Sequence, residues 1–394
     1  MSYSLLAGMR VVDFGIITAG ASTSAILADL GAEVIKIEGP GYIDSFRVWT
    51  GVADAEQWWN ASPHYAFTNR NKRSFCVDIK NAEGRELALE LVRRSDLVVE
   101  NFRTGVMDRL GLGFETLAAA NPGIVLASIS SQGATGPEAD SVSFGSTLEA
   151  SSGMSSLIRS AAGKPLISGH ALNYPDQIVS LSAAGTILCA LLERESGAGP
   201  IHLDLSQREL TAYMLGEFIG AGDDPSVAGS VERGPGAPAA LQLVAATGDG
   251  RWLALTVPSA EAARRVCAGL GLAEPLERGA LSERIGRMTA DEAGRRLQAA
   301  GASVEVARTA IELARGDSEY SPAFGRDPAG GAVKGLPWRC GVEAAGIDRA
   351  APDLGADNRY VACEVLGLDP GRYRELCARG VLATEPRSRS RGDA

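Results

Sequence analysis

Histidine is scarce in this chain of 394 residues, with three in all (His64, His170 and His202), so chemistry built on imidazole has few candidate groups. The six cysteines (Cys76, Cys189, Cys267, Cys340, Cys363 and Cys377) include no CxxC pair. That spacing suggests neither a zinc site nor a disulfide framework; it reads as reduced thiols in a cytoplasmic protein, and no metal is expected. No unbroken apolar stretch approaches the length of a membrane span, and the first residues lack a basic region followed by an apolar run. An unexported protein with no membrane partner is the expectation. Gly15 to Gly20 is not GxGxxG, and no GxxxxGK[ST], GxSxG or HExxH occurs. These absences disfavour dinucleotide binding, ATP chemistry on a P-loop, α/β-hydrolase action and zincin catalysis. With 38 basic against 48 acidic residues, the net charge of −10 argues against nucleic acid as a partner, and a polyanionic ligand must meet a local basic patch.

What is present suits a large core and two domains: 45% of residues are hydrophobic and 22% charged. Met9 to Phe14 reads as a strand, Ser22 to Leu30 as a helix and Glu33 to Glu38 as a second strand. The alternation repeats with a strand from Ser74 to Ile79, a helix from Glu83 to Arg94 and a strand from Leu97 to Glu100. A helix from Phe114 to Ala120 and a strand from Ile124 to Ile129 follow. Crossover helices between strands imply an α/β fold with a parallel sheet, whose ligands bind outside the carboxyl ends of the strands. The loops after Phe14, Glu38, Glu100 and Ile129 should therefore share one edge. A long helix is expected from Ile178 to about Arg194 and a strand from Ile201 to Leu205.

Composition shifts to glycine, proline and alanine between Gly220 and Ala240, which marks a linker into a second, smaller domain. There Leu241 to Ala246 and Trp252 to Val257 read as a hairpin, and Thr289 with Glu292 as the start of a helix to Ala299. The expected division is a discontinuous large domain of 1–219 and 336–386, a small α+β domain of 220–335 that includes the linker, and a disordered tail at 387–394.

With histidine scarce, carboxylate chemistry is the leading option. Pro175 and Asp176 open the long helix, and a proline with an acid in the first turn is a common helix start. The same placement can also hold an ionised carboxylate ready to act as a nucleophile.

The stretch from Asn69-Arg70-Asn71-Lys72-Arg73-Ser74 to Glu100-Asn101-Phe102-Arg103-Thr104-Gly105-Val106-Met107-Asp108-Arg109-Leu110-Gly111 resembles the signature of the family III CoA-transferases. The resemblance continues in Leu27 to Glu38, in Gly133 to Pro137, in Ala190 to Arg194 before Asp204-Leu205-Ser206, and in Ala351 to Gly355. It implies a Rossmann-like large domain built from both chain ends, a smaller middle domain and an interlocked homodimer. It implies acyl-CoA and a small carboxylic acid as substrates, with no permanently bound cofactor. Asp176 stands where the family's nucleophile belongs, and an aspartyl-CoA thioester is the implied intermediate. Contacts to coenzyme A fall by the same resemblance on Thr18, Ala19, Val77, Lys80, Asn101, Phe102, Arg103, Arg109, Ser143 and Phe144. Arg70, Lys72 and Arg73 add positive charge to the signature, suited to the phosphates of coenzyme A.

Some positions depart from the family pattern. Gly39 replaces a frequent basic residue, Gly355-Ala356-Asp357 stands where relatives commonly read Gly-Glu-His, and the glycine-rich loop corresponds to Gly234 to Pro238. Two alternatives remain. One is an α-methylacyl-CoA racemase of the same superfamily, although Phe144 holds the position of its proton-carrying histidine and His170 would have to substitute. The other is an acyl-CoA-binding protein without turnover.

Overall fold

The computed structural model describes residues 4–49, 56–157, 164–168, 173–216, 241–314, 324–326, 328, 330, 332–337 and 346–387. The chain divides into two compact units, one of 1–215 with 319–394 and one of 216–318.

In the first unit, β1 (Arg10–Asp13), β2 (Glu33–Glu38), β3 (Arg73–Cys76), β4 (Leu97–Glu100), β5 (Val125–Ser130) and β6 (Ile201–Ser206) form one sheet. Its order is β3-β2-β1-β4-β5-β6 and every pairing is parallel. Parallel neighbours cannot be joined by a tight turn, so helices carry the chain back across the sheet. These are α1 (Ala19–Asp29), α2 (Pro63–Asn69), α3 (Ala82–Val92), α4 (Val106–Arg109), α5 (Phe114–Ala120), α6 (Gly145–Ser151), α7 (Met154–Leu157) and α8 (Tyr174–Glu195), with α9 (Gln207–Tyr213) after β6. The strand order reverses on passing from β1 to β4, the place where doubly wound sheets open a crevice for ligands.

Alternation along the strands sorts the core into two layers. Val11, Val34, Val99 and Ala127 pack with Leu27 of α1 and with Val179, Ala183 and Ile187 of α8. Val12, Ile35, Val98 and Leu126 pack on the other face with Leu91, Leu117, Val361 and Leu376. Among the described residues α8 alone is long and apolar enough, by length and composition, to cross a membrane, a property that a search for unbroken apolar runs does not detect. Its buried apolar side chains from Val179 to Leu191 belong to the first of these core layers.

Both chain ends build this unit. The residues around 355–383 run along the outer edge of β3, where Asp357 accepts from Ser74 N–H at 2.9 Å and Asn358 from Cys76 N–H at 2.8 Å. Val77 bridges to Leu382, and Ala383 N–H donates to Cys76 O at 3.2 Å. Asp357 also pairs with Arg73 and Arg349. The C-terminal return thus supplies side-chain and backbone partners to an edge that would otherwise stand open.

The second unit holds an antiparallel sheet of β7 (Leu241–Ala246), β8 (Trp252–Val257) and β9 (Ser303–Val306), with Leu241 opposite Val257. Its buried face (Leu243, Leu253, Leu255, Val257) packs with side chains of the helices Ala260–Leu270, Arg278–Ile285 and Ala290–Ala299. Thr289 caps the last of these, its hydroxyl accepting from Glu292 N–H.

Charges lie inside the first unit, each answered by a partner. Lys72 Nζ is fully buried and donates to Asp13 at 2.7 Å, to Asn69 Oδ1 at 2.8 Å and to Ala21 O at 2.8 Å. Arg70 is paired with Asp29, and Arg73 with Glu33 and Asp357. The three cations expected to serve coenzyme A are therefore committed to structural pairs, because their acids come from other strands and helices that fold against them. Removing one member of such a pair strands the other in the core. Lys72→Met is expected to cost about 3–5 kcal/mol. The urea midpoint should fall with an unchanged slope, and a midpoint within error of the parent would contradict the assignment.

Candidate active site

The loop between β1 and α1 is held from several directions. Asp13 accepts from Gly15 N–H at 2.7 Å. Asn101 accepts from Ile16 N–H at 2.7 Å and donates to Ile16 O at 3.1 Å. Asp44 accepts from Ile17 N–H at 3.1 Å, while buried Lys36 donates to Gly15 O and pairs with Asp44 at 3.0 Å. This grip keeps Ile17 at φ 60°, a left-handed conformation that is costly for a β-branched residue. The approach is also close: a methyl group added at Gly20 would lie 2.6 Å from Asn101 Oδ1.

A second buried set braces the neighbouring loop. Glu38 receives Arg47 through two bonds of 2.8 Å, and Tyr65 donates to it at 3.2 Å. Despite burial, the Arg47 and Lys36 charges hold the Glu38 carboxyl down at about 2. The Arg47 guanidinium lies 3.6 Å from the Tyr65 ring centroid, and its Nη2 donates to Pro352 O at 3.2 Å.

Above these loops lies a cleft of about 900 Å³. It is lined by Ile16 and Ile17 after β1, Gly39 and Tyr42 after β2, Asn101 to Thr104 after β4, and Ser130 at the end of β5 with Ser131 after it. The edge expected from the alternating pattern is thus the edge observed. Asp176 opens into the same cleft. Helix α8 begins at Tyr174, earlier than the expected Ile178, because Pro175 already has helical geometry; this places Asp176 in the first turn. Burial pushes the Asp176 carboxyl up to about 6, against the opposing pull of its own backbone N–H and that of Ala19. Ser180 Oγ, one turn later, donates to Asp176 O at 2.6 Å and to Ala19 O at 3.2 Å, joining the starts of α8 and α1.

Lys80, Asn101, Phe102, Arg103, Ser143 and Phe144 line the cleft together with Asp176. Thr18 and Ala19 are buried at the start of α1, with Ala19 touching Asp176 through its amide. Val77 is buried against the C-terminal return, and Arg109 is exposed at the end of α4, outside the cleft lining. Arg387, assigned by composition to a disordered tail, is anchored instead: its N–H donates to Pro40 O at 2.7 Å, its guanidinium pairs with Asp78, and it lines the cleft. His170 and Gly234 to Pro238 lie outside the described residues. Lys36 and Asp44 escaped the sequence reading, although a lysine inside the apolar run Glu33 to Glu38 was a usable signal.

Comparison with known proteins gives a consistent result. The description "CoA-transferase family III" matches residues 6–358. The chain is 36% identical over 218 residues to an acyl-CoA transferase of Fusarium pseudograminearum, covering 54% of this chain and 47% of that protein. It thus spans about half the length of that relative. It is 29% identical over 408 residues to a succinyl-CoA–D-citramalate CoA-transferase of Chloroflexus aurantiacus, covering 95% of this chain and 97% of that one. A crystal structure of a CAIB/BAIF family protein from Brucella suis superposes with a TM-score of 0.80 at 23% identity, covering 91% and 99% of the two chains. At that identity it bears on the fold alone.

The raised Asp176 value has a consequence for stability. The fold favours the neutral carboxyl, so the cost of ionising it begins as pH rises past the ordinary value of 3.8 and is complete above about 6. Asp176→Asn removes that cost. The variant is expected to melt above the parent at pH 8, with the gap roughly halved at pH 5 and closing below about pH 4; a gap that is equal or larger at pH 5 would show that the carboxyl is not held neutral by the fold.

Proposed function

The chain belongs to CoA-transferase family III, and from that membership we propose that it moves coenzyme A from an acyl-CoA to a carboxylic acid through a thioester on Asp176. The observation that supports this most is the placement of Asp176, a half-buried carboxylate facing a large cleft at the meeting of two helix starts. An Asp176 oxygen attacks the thioester carbonyl, and the coenzyme A thiolate leaves from a mixed anhydride. That thiolate then attacks the aspartyl carbonyl, releasing the first acid and leaving an aspartyl-CoA thioester. The incoming carboxylate attacks this thioester, the thiolate departs again, and its attack on the new acyl carbonyl frees Asp176. One thioester replaces another, so no ATP is consumed. No step needs a histidine, in keeping with a chain that has three.

Lys80, Arg103 and Arg387 supply positive charge along the cleft for the phosphates of coenzyme A. Asn101 and Phe102, with the backbone at Thr18 and Ala19, shape the path of the thioester arm towards Asp176. The racemase alternative needs a second proton carrier, and Phe144 cannot be one.

Asp176→Ala is expected to reduce CoA transfer on the order of 10³-fold or more while acyl-CoA still binds. In the parent, hydroxylamine added after acyl-CoA should inactivate the enzyme with the adduct mapped to Asp176. Because the ionised carboxylate is the reactive form, kcat/KM should fall about tenfold per unit on the acid side of about pH 6. Near-parental exchange by the folded alanine variant would refute the mechanism.

We also propose that the chain works as an interlocked homodimer, as its family membership suggests. Light scattering at micromolar protein should return twice the chain mass of 41.0 kDa, unchanged on dilution. An active species of single-chain mass would refute this.

A further inference from the structure

The transferase reading leaves open how the cleft tells coenzyme A from closely related thioesters, and the C-terminal return bears on that. Among the described residues three cations line the cleft, Lys80, Arg103 and Arg387. Lys80 and Arg103 follow strands of the sheet, whereas Arg387 comes from far along the chain. Its position is fixed by three contacts. The backbone N–H donates to Pro40 O at 2.7 Å, Nη1 pairs with Asp78 at 2.6 Å, and Nη2 donates to Gly380 O at 3.0 Å. The side chain still stays 57% exposed. A guanidinium held in place with part of its donor fork open is prepared for an anion, because little freedom remains to be lost on binding.

The surroundings suit the nucleotide end of a ligand. The loop after β2 brings Gly39 and Gly41 to this end of the cleft, on either side of the proline that Arg387 grips, so it adds no charge of its own. Asp78 also accepts from Lys80 N–H at 3.2 Å, and one carboxylate thereby holds the Lys80 backbone and the Arg387 fork together. Two cations against that single carboxylate leave the seat net positive. Tyr42 meets Phe102 edge-on with ring centroids 6.3 Å apart, and both line the cleft. Aromatic rings beside cations suit a base and its phosphates.

We propose that Arg387 is a specificity-determining residue: with Lys80 it seats the phosphate monoester on the ribose of coenzyme A, and so selects coenzyme A over dephospho-coenzyme A, which lacks that group. The inference rests on the transferase reading for its ligand, and the order of the cations across the sheet carries it. Asp176 meets the Ala19 amide just after β1. Arg103 follows β4, the direct neighbour of β1, whereas Asp78 and Lys80 follow the edge strand β3, two strands or roughly 10 Å away. A coenzyme A whose sulfur reaches Asp176 presents its diphosphate first and its ribose phosphate last. The diphosphate thus falls to Arg103 and the ribose phosphate to the outer pair, where the arginine fork matches its oxygens.

Calorimetry on the full-length protein, at one pH and salt concentration, measures Kd for coenzyme A and for dephospho-coenzyme A. The parent is expected to bind coenzyme A on the order of 10- to 100-fold tighter. In Arg387→Ala the Kd for coenzyme A should rise about tenfold or more while that for dephospho-coenzyme A stays put. A full-length variant with Arg389→Ala and Arg391→Ala should keep the parental ratio. Equal affinities in the parent, an equal rise for both ligands in Arg387→Ala, or loss of the ratio in the double variant overturns the inference, as does failure of coenzyme A to bind. A protein that binds with the expected selectivity but transfers nothing bears the inference out and overturns the transferase reading alone.

Discussion

The pairing of Lys36 with Asp44 under the loop after β1 is the constraint on which the cleft depends. Both side chains are fully shielded from water, and each also bonds the loop backbone, Lys36 donating to Gly15 O and Asp44 accepting from Ile17 N–H. Two apolar residues in their place would avoid the desolvation cost and could pack as well. They could not, however, satisfy the polar groups of a loop that runs beneath a ligand cleft. Nor could they hold Ile17 in a backbone region it does not choose by itself. Asn101 performs the same service from β4, so the loop is fixed by the three strands at the centre of the sheet.

From that fixed loop the chemistry of Asp176 follows. Helix α1 starts where the loop ends, and its first amide meets the carboxylate. Two backbone N–H groups favour the ionised form and burial disfavours it; burial is the larger effect, which leaves the group near 6. A carboxylate left at its ordinary acidity would be a weaker nucleophile, and one pushed far higher would be neutral at physiological pH. This balance keeps the group ionised near neutrality while retaining basicity, as the proposed attack on a thioester requires.

Much of this was legible from residue pattern. Strand β2 has the bounds its apolar run implies, and β4 and α5 likewise. Apolar period and turn residues are local signals, and the crossover sheet follows from their sequence. What escaped was set by partners distant in the chain. Arg70 and Lys72 read as positive charge for the phosphates of coenzyme A, but Asp29 and Asp13, 41 and 59 residues earlier, draw them into the core. Nothing near Lys72 announces Asp13. The start of α8 rested on a different signal: apolar periodicity begins after the first turn, so the turn carrying Asp176 was read from proline and acid alone.

The C-terminal return along β3 has a consequence for the order in which the protein is made. Strand β3 leaves the ribosome well before Asp357, Asn358 and Ala383, which occupy its outer hydrogen-bonding groups; Cys76 precedes Asn358 by 282 residues. Over that interval the nascent sheet carries a bare strand able to pair with another chain. Completion of this unit waits, by topology, on that return, and the burden of keeping nascent chains apart falls on the cell until it docks.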